Sequence, residues 1–453
     1  MAAAELDCGI DVRATATAAV AMNRQGRVLA KATGVSTGSL DRDVAAALDR
    51  LAGDGVDRTA IGRVMVGATV VRDAINRRRG LRRTATIRVG APLTQAIPPL
   101  STWPADVRGA VSAGEAVIAG GAEYDGRRMP LDEDAIASFL AAVGERTEAV
   151  AIVSVFAAVD AEPELATAEV VARELGAGVH VSLSHEIGPI GLLERENTTT
   201  LNATLTAAVE GLASDLRGAL ERSHVDAELF ITQNDGTLMA VDHALGFPVM
   251  TIGSGPASAM RGSAALSGVG DAVVVDSDGA RTRVGALVNG LPYESARPAE
   301  LAGVRTCCRV PEVIELDALN GAADDLATAV DRVRGALALS PLVAVGGAGD
   351  RMPGPLGGAG QVIRPPDGDV AAAVGAATAP VSGQAELICP NRVERRAATL
   401  ADAQFAARTH AVRAGADPDA VEVVSVEEIP LTHVVDPALR IRVKAAGPAS
   451  RRS

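Results

Sequence analysis

The stretch Ser184-His185-Glu186-Ile187-Gly188-Pro189-Ile190-Gly191-Leu192-Leu193-Glu194-Arg195-Glu196-Asn197 stands between two segments of different period. Before it, Val179 to Leu183 reads as a buried strand. After it, Glu194 to Arg222 places Leu201, Leu205, Val209, Leu212 and Leu216 on one face of a long helix, expected to connect two lobes. His185 and Glu186 follow a strand, where α/β proteins place ligands; they read either as a site or as a structural pair. Glu194, Arg195 and Asn197 either orient the lobes, contact a substrate or cap the helix.

Toward the N-terminus, Leu6 to Val12, Thr17 to Met22 and Val28 to Thr33 read as strands joined by tight turns. A helix over Asp41 to Leu51 and a strand over Arg63 to Val66 follow. Gly90 to Gly121 holds several prolines and the single tryptophan, Trp103, with little periodicity, so an ordered loop or small insertion is expected. Helices over Leu131–Val143 and Glu162–Leu175 alternate with strands over Val150–Val155 and Val179–Leu183, which makes a parallel α/β layer. A second lobe is expected to open with the strand Glu228 to Thr232. There Ala272 to Asp276 and Arg283 to Val288 repeat the opening theme, a strand ending in aspartate, a short turn and a second strand. A helix over Gly321–Leu339, the strand Val343–Val345, a helix over Ala371–Ala377, a helix over Leu400–Arg413 and strands over Val421–Val426 and Leu439–Val443 complete the reading.

At 453 residues the chain exceeds one ordinary domain. Its formal charge of -13, without a basic block, argues against nucleic-acid or anionic-membrane partners. No apolar run reaches the roughly 20 residues that span a bilayer, and the acidic, interrupted N-terminus is no signal peptide, so a cytoplasmic protein is expected. The cysteines at 8, 307, 308 and 389 show no metal spacing with the histidines, and adjacent Cys307 and Cys308 read as packing residues. Lysine occurs only at positions 31 and 444, which leaves almost no residue for Schiff-base or P-loop chemistry.

The 184–197 stretch, with Thr232-Gln233-Asn234-Asp235-Gly236-Thr237-Leu238-Met239, Ser254-Gly255-Pro256, Met260-Arg261-Gly262, Val304-Arg305-Thr306, Val421 to Val424 and Glu427 to Leu431, resembles the A subunit of the hydantoinase/oxoprolinase family. That resemblance covers nearly the whole chain in order. It implies an α/β, actin-like (ribonuclease H-like) fold of two lobes around a central nucleotide cleft, and ATP-driven opening of cyclic amides such as hydantoins and 5-oxoproline. It also implies a B-type partner subunit; an A-type paralogue or a second copy of the chain is a further option. The corresponding division is 1–193 for the first lobe, with an inserted loop region around 90–125. It continues with 194–395 for a second lobe shortened after 314, and 396–453 for the C-terminal helix and strands.

In such folds two hairpins offer glycine amides and threonine hydroxyls to the phosphates, and aspartates hold Mg²⁺ or orient water. The first loop of the family resembles Asp-x-Gly-Gly-Thr-x-Thr-Asp; here it reads Asp11-Val12-Arg13-Ala14-Thr15-Ala16-Thr17-Ala18, without either glycine or the closing aspartate. The second resembles Asp-x-Gly-Gly-Thr-Thr-Thr-Asp and reads Asp276-Ser277-Asp278-Gly279-Ala280-Arg281-Thr282-Arg283. Where relatives carry threonine-histidine, Gly67-Ala68-Thr69-Val70 has no imidazole. Charge-assisted hydrogen bonds contribute roughly 1.5–3 kcal/mol each, so three or four lost contacts remove on the order of 5–10 kcal/mol, against about 8 kcal/mol for micromolar binding. Ordinary Mg-ATP use is therefore expected to be lost, leaving no cofactor and no metal, and the chain is expected to act as a non-catalytic partner in a cyclic-amide hydrolase complex. If the cleft still works, ATP and Mg²⁺ are its cofactors and a small cyclic amide its substrate.

The candidate catalytic residues are Asp11, Asp276 and Asp235, the last either a general base or the cap of its own Asp-Gly turn. Candidate nucleotide contacts are Thr15, Thr17, Gly279, Thr282 and the glycine turn Gly346, Gly347 and Gly349. Arg13, Arg281 and Arg283 stand beside Asp11, Asp276 and Asp278. They either fill the old metal position as ion pairs or hold an anionic ligand.

Overall fold

The computed structural model describes residues 6–122, 127–188, 191–278, 281–294, 299–317, 323–335, 340–349, 361–390, 393–431 and 438–450. Gly279, Ala280, Pro189, Ile190 and both ends of the helix expected over Gly321–Leu339 lie outside the described residues. Strands β1 (Leu6–Val12), β2 (Ala16–Asn23) and β3 (Val28–Val35) precede helix α1 (Leu40–Gly53), β4 (Ile61–Ala68) and α2 (Val70–Arg77). Next come β5 (Thr84–Ala91), α3 (Ala105–Val111), β6 (Ser112–Ala119) and the short β7 (Gly121–Ala122) and β8 (Arg128–Met129). Helix α4 (Glu133–Val143), β9 (Ala149–Ser154), α5 (Glu162–Leu175), β10 (His180–Leu183) and the single turn α6 (Ser184–Ile187) lead into the long α7 (Leu192–Arg222).

Beyond α7 lie β11 (Glu228–Thr232), β12 (Leu238–Ala240), α8 (Val241–Ala244) and α9 (Ser254–Ser267). The hairpin β13 (Ala272–Ser277) and β14 (Arg281–Val288) is followed by β15 (Leu291–Pro292), β16 (Glu300–Leu301), β17 (Val304–Arg305) and β18 (Val313–Asp317). Helix α10 (Ala323–Arg334), β19 (Leu342–Val345), β20 (Val362–Ile363) and α11 (Ala371–Thr378) complete that region. The chain closes with β21 (Val381–Pro390), α12 (Val393–Arg413), β22 (Glu422–Leu431) and β23 (Ala438–Gly447).

Three sheets organise these elements. One runs β22-β23-β21-β12-β11-β4-β1-β2-β3, a second β10-β9-β5-β6, and a third β15-β14-β13-β19-β20 with β18 on the far side of β14. In the first, β1, β4 and β11 are parallel neighbours; in the third, β13 and β19 are. The strand Glu228–Thr232 thus pairs with β4, not with the β13 sheet, and the expectation that it opens the second lobe is corrected. Likewise β12, β21, β22 and β23 extend the N-terminal sheet, so its strands come from both ends of the chain.

The stretch Gly90 to Gly121 is also corrected: it is no plain loop, but holds α3 and β6, and β6 pairs in parallel with β5. Trp103 is buried there and its Nε1 donates to Asn197 Oδ1 at 2.7 Å. Strand β5 escaped the sequence reading because one of its faces is polar yet buried. Thr84, Thr86 and Arg88 all point at α7, where Thr204, Thr200 and Glu196 receive them at 2.9, 3.2 and 2.6 Å. The Arg88–Glu196 pair is bidentate and about 1% exposed, and Arg88 Nη1 also donates to the carbonyls of Thr94 and Ile97.

Helices α9 and α11 lie between the first and third sheets, and they touch backbone to backbone. A Cβ at Gly262 would stand 1.7 Å from the Ala371 carbonyl oxygen, and one at Gly375 would stand 1.9 Å from that of Ser258. Gly9 repeats the device where α11 meets β1, 2.0 Å from the Ala373 carbonyl oxygen. Among the described residues no helix is long and apolar enough to cross a membrane.

These contacts make three stability predictions. Gly262→Ala should destabilise by about 3 kcal/mol or more, because a backbone carbonyl cannot yield. Gly211→Ala, in α7 with nothing within 4 Å of the new Cβ, should stabilise by up to about 1 kcal/mol; urea unfolding measures both. Glu196→Leu should cost about 3–5 kcal/mol by stranding the Arg88 charge, and adding Arg88→Met should recover most of that loss.

Candidate functional site

The cleft forms where the carboxyl ends of β1, β4 and β11 meet those of β13 and β19, the place where open parallel sheets position ligands. Asp11 is the penultimate residue of β1 and Asp276 the penultimate residue of β13, opposite Val345 in register. Between them sits Arg13. Its Nε meets Asp11 Oδ2 at 2.6 Å, Nη2 lies 3.3 Å from Asp276 Oδ2, and Nη1 is 3.8 Å from Asp278 Oδ2. Arg283 Nη1 adds contacts of 3.6 Å to Asp276 and 3.5 Å to Asp278.

The network continues outward through Glu315 on β18, which faces Arg283 at 3.4 Å, Arg281 at 3.4 Å and Arg72 at 3.6 Å. Four guanidinium groups therefore face four carboxylates. Burial works against the Arg13 charge, but Asp276 and Asp11 outweigh it and push the guanidinium pKa further up. Burial also pushes the Asp11 carboxyl up, opposed by Arg13.

A divalent cation needs an oxygen-lined position carrying negative charge. Here the position between Asp11 and Asp276 holds a guanidinium and the surrounding charge is balanced, so the residues present do not fit Mg²⁺. Nor does any group of three or more His, Cys, Asp and Glu among the described residues form a metal arrangement. The backbone agrees. The turn after β1 closes with Arg13 N–H donating to Ala16 at 2.9 Å, and no residue in it adopts positive φ, so that amide is engaged within the hairpin.

The remaining nucleotide candidates divide. Thr15 is exposed at the hairpin tip, whereas Thr17 is buried and its hydroxyl has no hydrogen-bond partner. Thr282 turns inward to the Ser277 hydroxyl at 3.0 Å. Gly346 has φ +85°, and a Cβ there would stand 2.3 Å from the Ser277 carbonyl oxygen, so this glycine serves close packing of β19 on β13. The amides of Gly346, Ala348 and Gly349 donate to Gly368, Ser277 and Gly346 carbonyls, while Gly347 faces open space. Gly279 lies outside the described residues.

Asp235 is not joined to the Arg13 network. Its Oδ1 accepts from the Thr237 amide at 2.9 Å and hydroxyl at 2.5 Å, and its Oδ2 meets Lys444 Nζ at 2.5 Å. Burial would raise its pKa, but Lys444 and Thr237 overcome that and hold it at about 2. Its geometry is that of a turn cap and ion-pair partner. Lys444 carried no signal in the sequence beyond its rarity, and Glu315 and Arg72 carried none, because their pairing depends on strands and helices brought together from afar.

The 184–197 stretch proves to be a clasp. Glu164, fully buried on α5, accepts from the Ser154 amide at 2.8 Å and from the Ser184 hydroxyl, and from His185 Nδ1 at 2.7 Å. Burial disfavours the His185 imidazolium, yet Glu164 outweighs it and raises the pKa. Arg195 donates to Ser184 Oγ at 2.9 Å and to the Ser154 carbonyl at 2.5 Å, and Asn197 donates to the Arg305 carbonyl at 2.9 Å. The four cysteines are free thiols, and burial pushes Cys8 and Cys308 up to about 12 and Cys307 up to about 11, far from nucleophilic use.

Comparison with known proteins places this geometry. No curated protein matches the chain in sequence. The nucleotide-free structure of an acetone carboxylase, from the mechanism of ATP-dependent acetone carboxylation, matches with a TM-score of 0.70 at 14% identity, covering 99% of this chain and 89% of that one. The ATP-dependent caprolactamase from Pseudomonas jessenii matches with a TM-score of 0.74 at 16% identity, covering 98% of this chain and 89% of that one. Those likenesses show the fold, the actin-like arrangement of two lobes around a cleft. Residues 7–175 match the hydantoinase/oxoprolinase N-terminal region and residues 195–318 match the hydantoinase/oxoprolinase model, so with the structural likeness the chain belongs to the hydantoinase/oxoprolinase family.

Proposed function

We propose that this chain is a divergent hydantoinase/oxoprolinase subunit that has lost ordinary Mg-ATP use. It serves as a non-catalytic, structural partner in a complex that hydrolyses cyclic amides, joined to a B-type subunit or an A-type paralogue. One observation carries the reading: Arg13 lies between Asp11 and Asp276 and supplies from within the chain the positive charge that a metal would otherwise bring. A guanidinium fixed by three carboxylates is permanent, whereas a bound cation comes and goes with its nucleotide. In this reading Arg13 and Arg283 hold the two hairpins together and are not receptors for a separate anion. Asp11 and Asp276 are the partners of that bridge.

Calorimetry of the purified chain with Mg-ATP should show no binding in the micromolar range, and lactam-dependent phosphate release should appear only with a B-type subunit or an A-type paralogue. Micromolar ATP binding by the chain alone would instead support an active, ATP-dependent hydrolase of a hydantoin, 5-oxoproline or related lactam. Asp11→Asn and Asp276→Asn, made separately, should leave the activity of the assembled pair within about twofold; a hundredfold loss would return both to the chemistry.

Asp235 makes a separate prediction through pH. Its folded pKa is depressed from 3.8 to about 2, so its stabilising contribution is full above about pH 4 and is lost as pH falls through 2. The stability difference between the wild type and Asp235→Asn should be constant from pH 7 to about pH 4 and shrink by about 2 kcal/mol below that. A difference that instead changes near pH 7 would identify Asp235 as a group poised for proton transfer.

A further inference from the structure

A second polar centre lies on the turn between β11 and β12, and its charges do not balance. Gly236 has φ +78°, and a Cβ there would stand 2.6 Å from Arg261 Cδ, so this glycine lets the aliphatic stem of Arg261 lie directly on the Asp235-Gly236 turn. Arg261 reaches the turn from α9. Its Nε and Nη1 atoms are buried and have no hydrogen-bond partner, and it makes no ion pair among the described residues, although the residue as a whole is only partly buried.

Nearby Asp235 does not satisfy it. One oxygen is committed to Thr237 and the other to Lys444 at 2.5 Å. The surrounding charges are paired among themselves. Glu294 meets Arg309 at 3.6 Å, Glu427 meets Arg309 at 3.8 Å and Arg442 at 3.5 Å, and Glu386 meets Arg442 at 2.8 Å and Arg440 at 3.7 Å. Five cations, Arg261, Arg309, Arg440, Arg442 and Lys444, thus stand against four carboxylates, Asp235, Glu294, Glu386 and Glu427. The surplus is a single positive charge, and it falls on Arg261 because each of the others has a carboxylate partner. A half-buried guanidinium with two idle donors is costly by itself and is satisfied by an acceptor carrying negative charge.

We infer that Arg261 is the receptor of a binding site for a small organic monoanion, a carboxylate, on the Asp235-Gly236 turn. A carboxylate fits better than phosphate because the uncompensated charge is one, and a second negative charge would face the Asp235 carboxylate. Lys444 acts as a positioning residue: by pairing with Asp235 Oδ2 it leaves Arg261 within the field of that carboxylate but without an ion pair to it. The inference does not depend on whether the Arg13 cleft binds nucleotide.

The test uses the full chain in the absence of nucleotide and metal, at constant ionic strength in sodium chloride. Propionate should raise the thermal midpoint saturably, by about 2 °C or more, and neutral propionamide should not. Arg261→Met should unfold at or above the wild-type midpoint in chloride alone and should lose the propionate response. Equal responses to propionate and propionamide, a response retained by Arg261→Met, or stabilisation by phosphate without propionate would each overturn the assignment. Should Arg261→Met fail to fold, the wild-type Arg261 Nε–H resonance in a nitrogen-15 spectrum decides: it should shift on titration with propionate, and an unmoved resonance means that water alone satisfies the site.

Discussion

The fold depends on a polar ladder between β5 and α7. Thr84, Thr86 and Arg88, two residues apart on the strand, meet Thr204, Thr200 and Glu196, four residues apart on the helix. Two strand residues rise about 6.6 Å and four helix residues about 6.0 Å, so the two spacings agree closely enough for three rungs before drifting apart. The last rung is charged, bidentate and almost wholly buried, which makes it intolerant of losing one member while the pair as a unit is replaceable. With the ladder in place, the neighbouring residues of α7 are aimed. Arg195 turns to the ends of β9 and β10, and Asn197 bridges Trp103 and the Arg305 carbonyl.

In the cleft an internal guanidinium lies between the two hairpin aspartates. An aspartate at the end of each hairpin's first strand is costly to bury without a partner. In this chain the partner is Arg13, tethered two residues from Asp11 and reaching across to Asp276. The same side chain thus contacts both hairpins. Arg283, Arg281 and Arg72 extend the balance to Glu315, so no strong negative field remains at the mouth.

The two polar centres differ in charge balance. Around Arg13 every guanidinium has a carboxylate partner, and Arg13 and Arg283 each have three. Around Arg261 the nearest carboxylate is already engaged by Lys444, one of only two lysines in the chain. Balanced charge stabilises structure, whereas a buried donor without a partner is costly by itself.

Periodicity and punctuation were sufficient for much of the architecture. The opening β-β-β-α-β order, the two strand-aspartate-turn hairpins and the long helix were legible because each is decided by local spacing or by residues a few positions apart. Set against the pattern that the family resemblance implies, Arg13 and Ala14 stood where glycines were expected, and pairing of arginines with Asp11 and Asp276 was one of two readings. Tertiary structure alone decided the rest. Strand β5 hid because its polar residues are buried by partners over a hundred positions away. Strands β11 and β21 to β23 joined the first sheet because hydrogen-bonded neighbours are chosen by global packing, not by order along the chain. Asp235 became a neutralised turn cap, and Arg261 an unpaired cation, only because Lys444 arrived from the last strand, and an electrostatic partner separated by two hundred residues leaves no periodic trace.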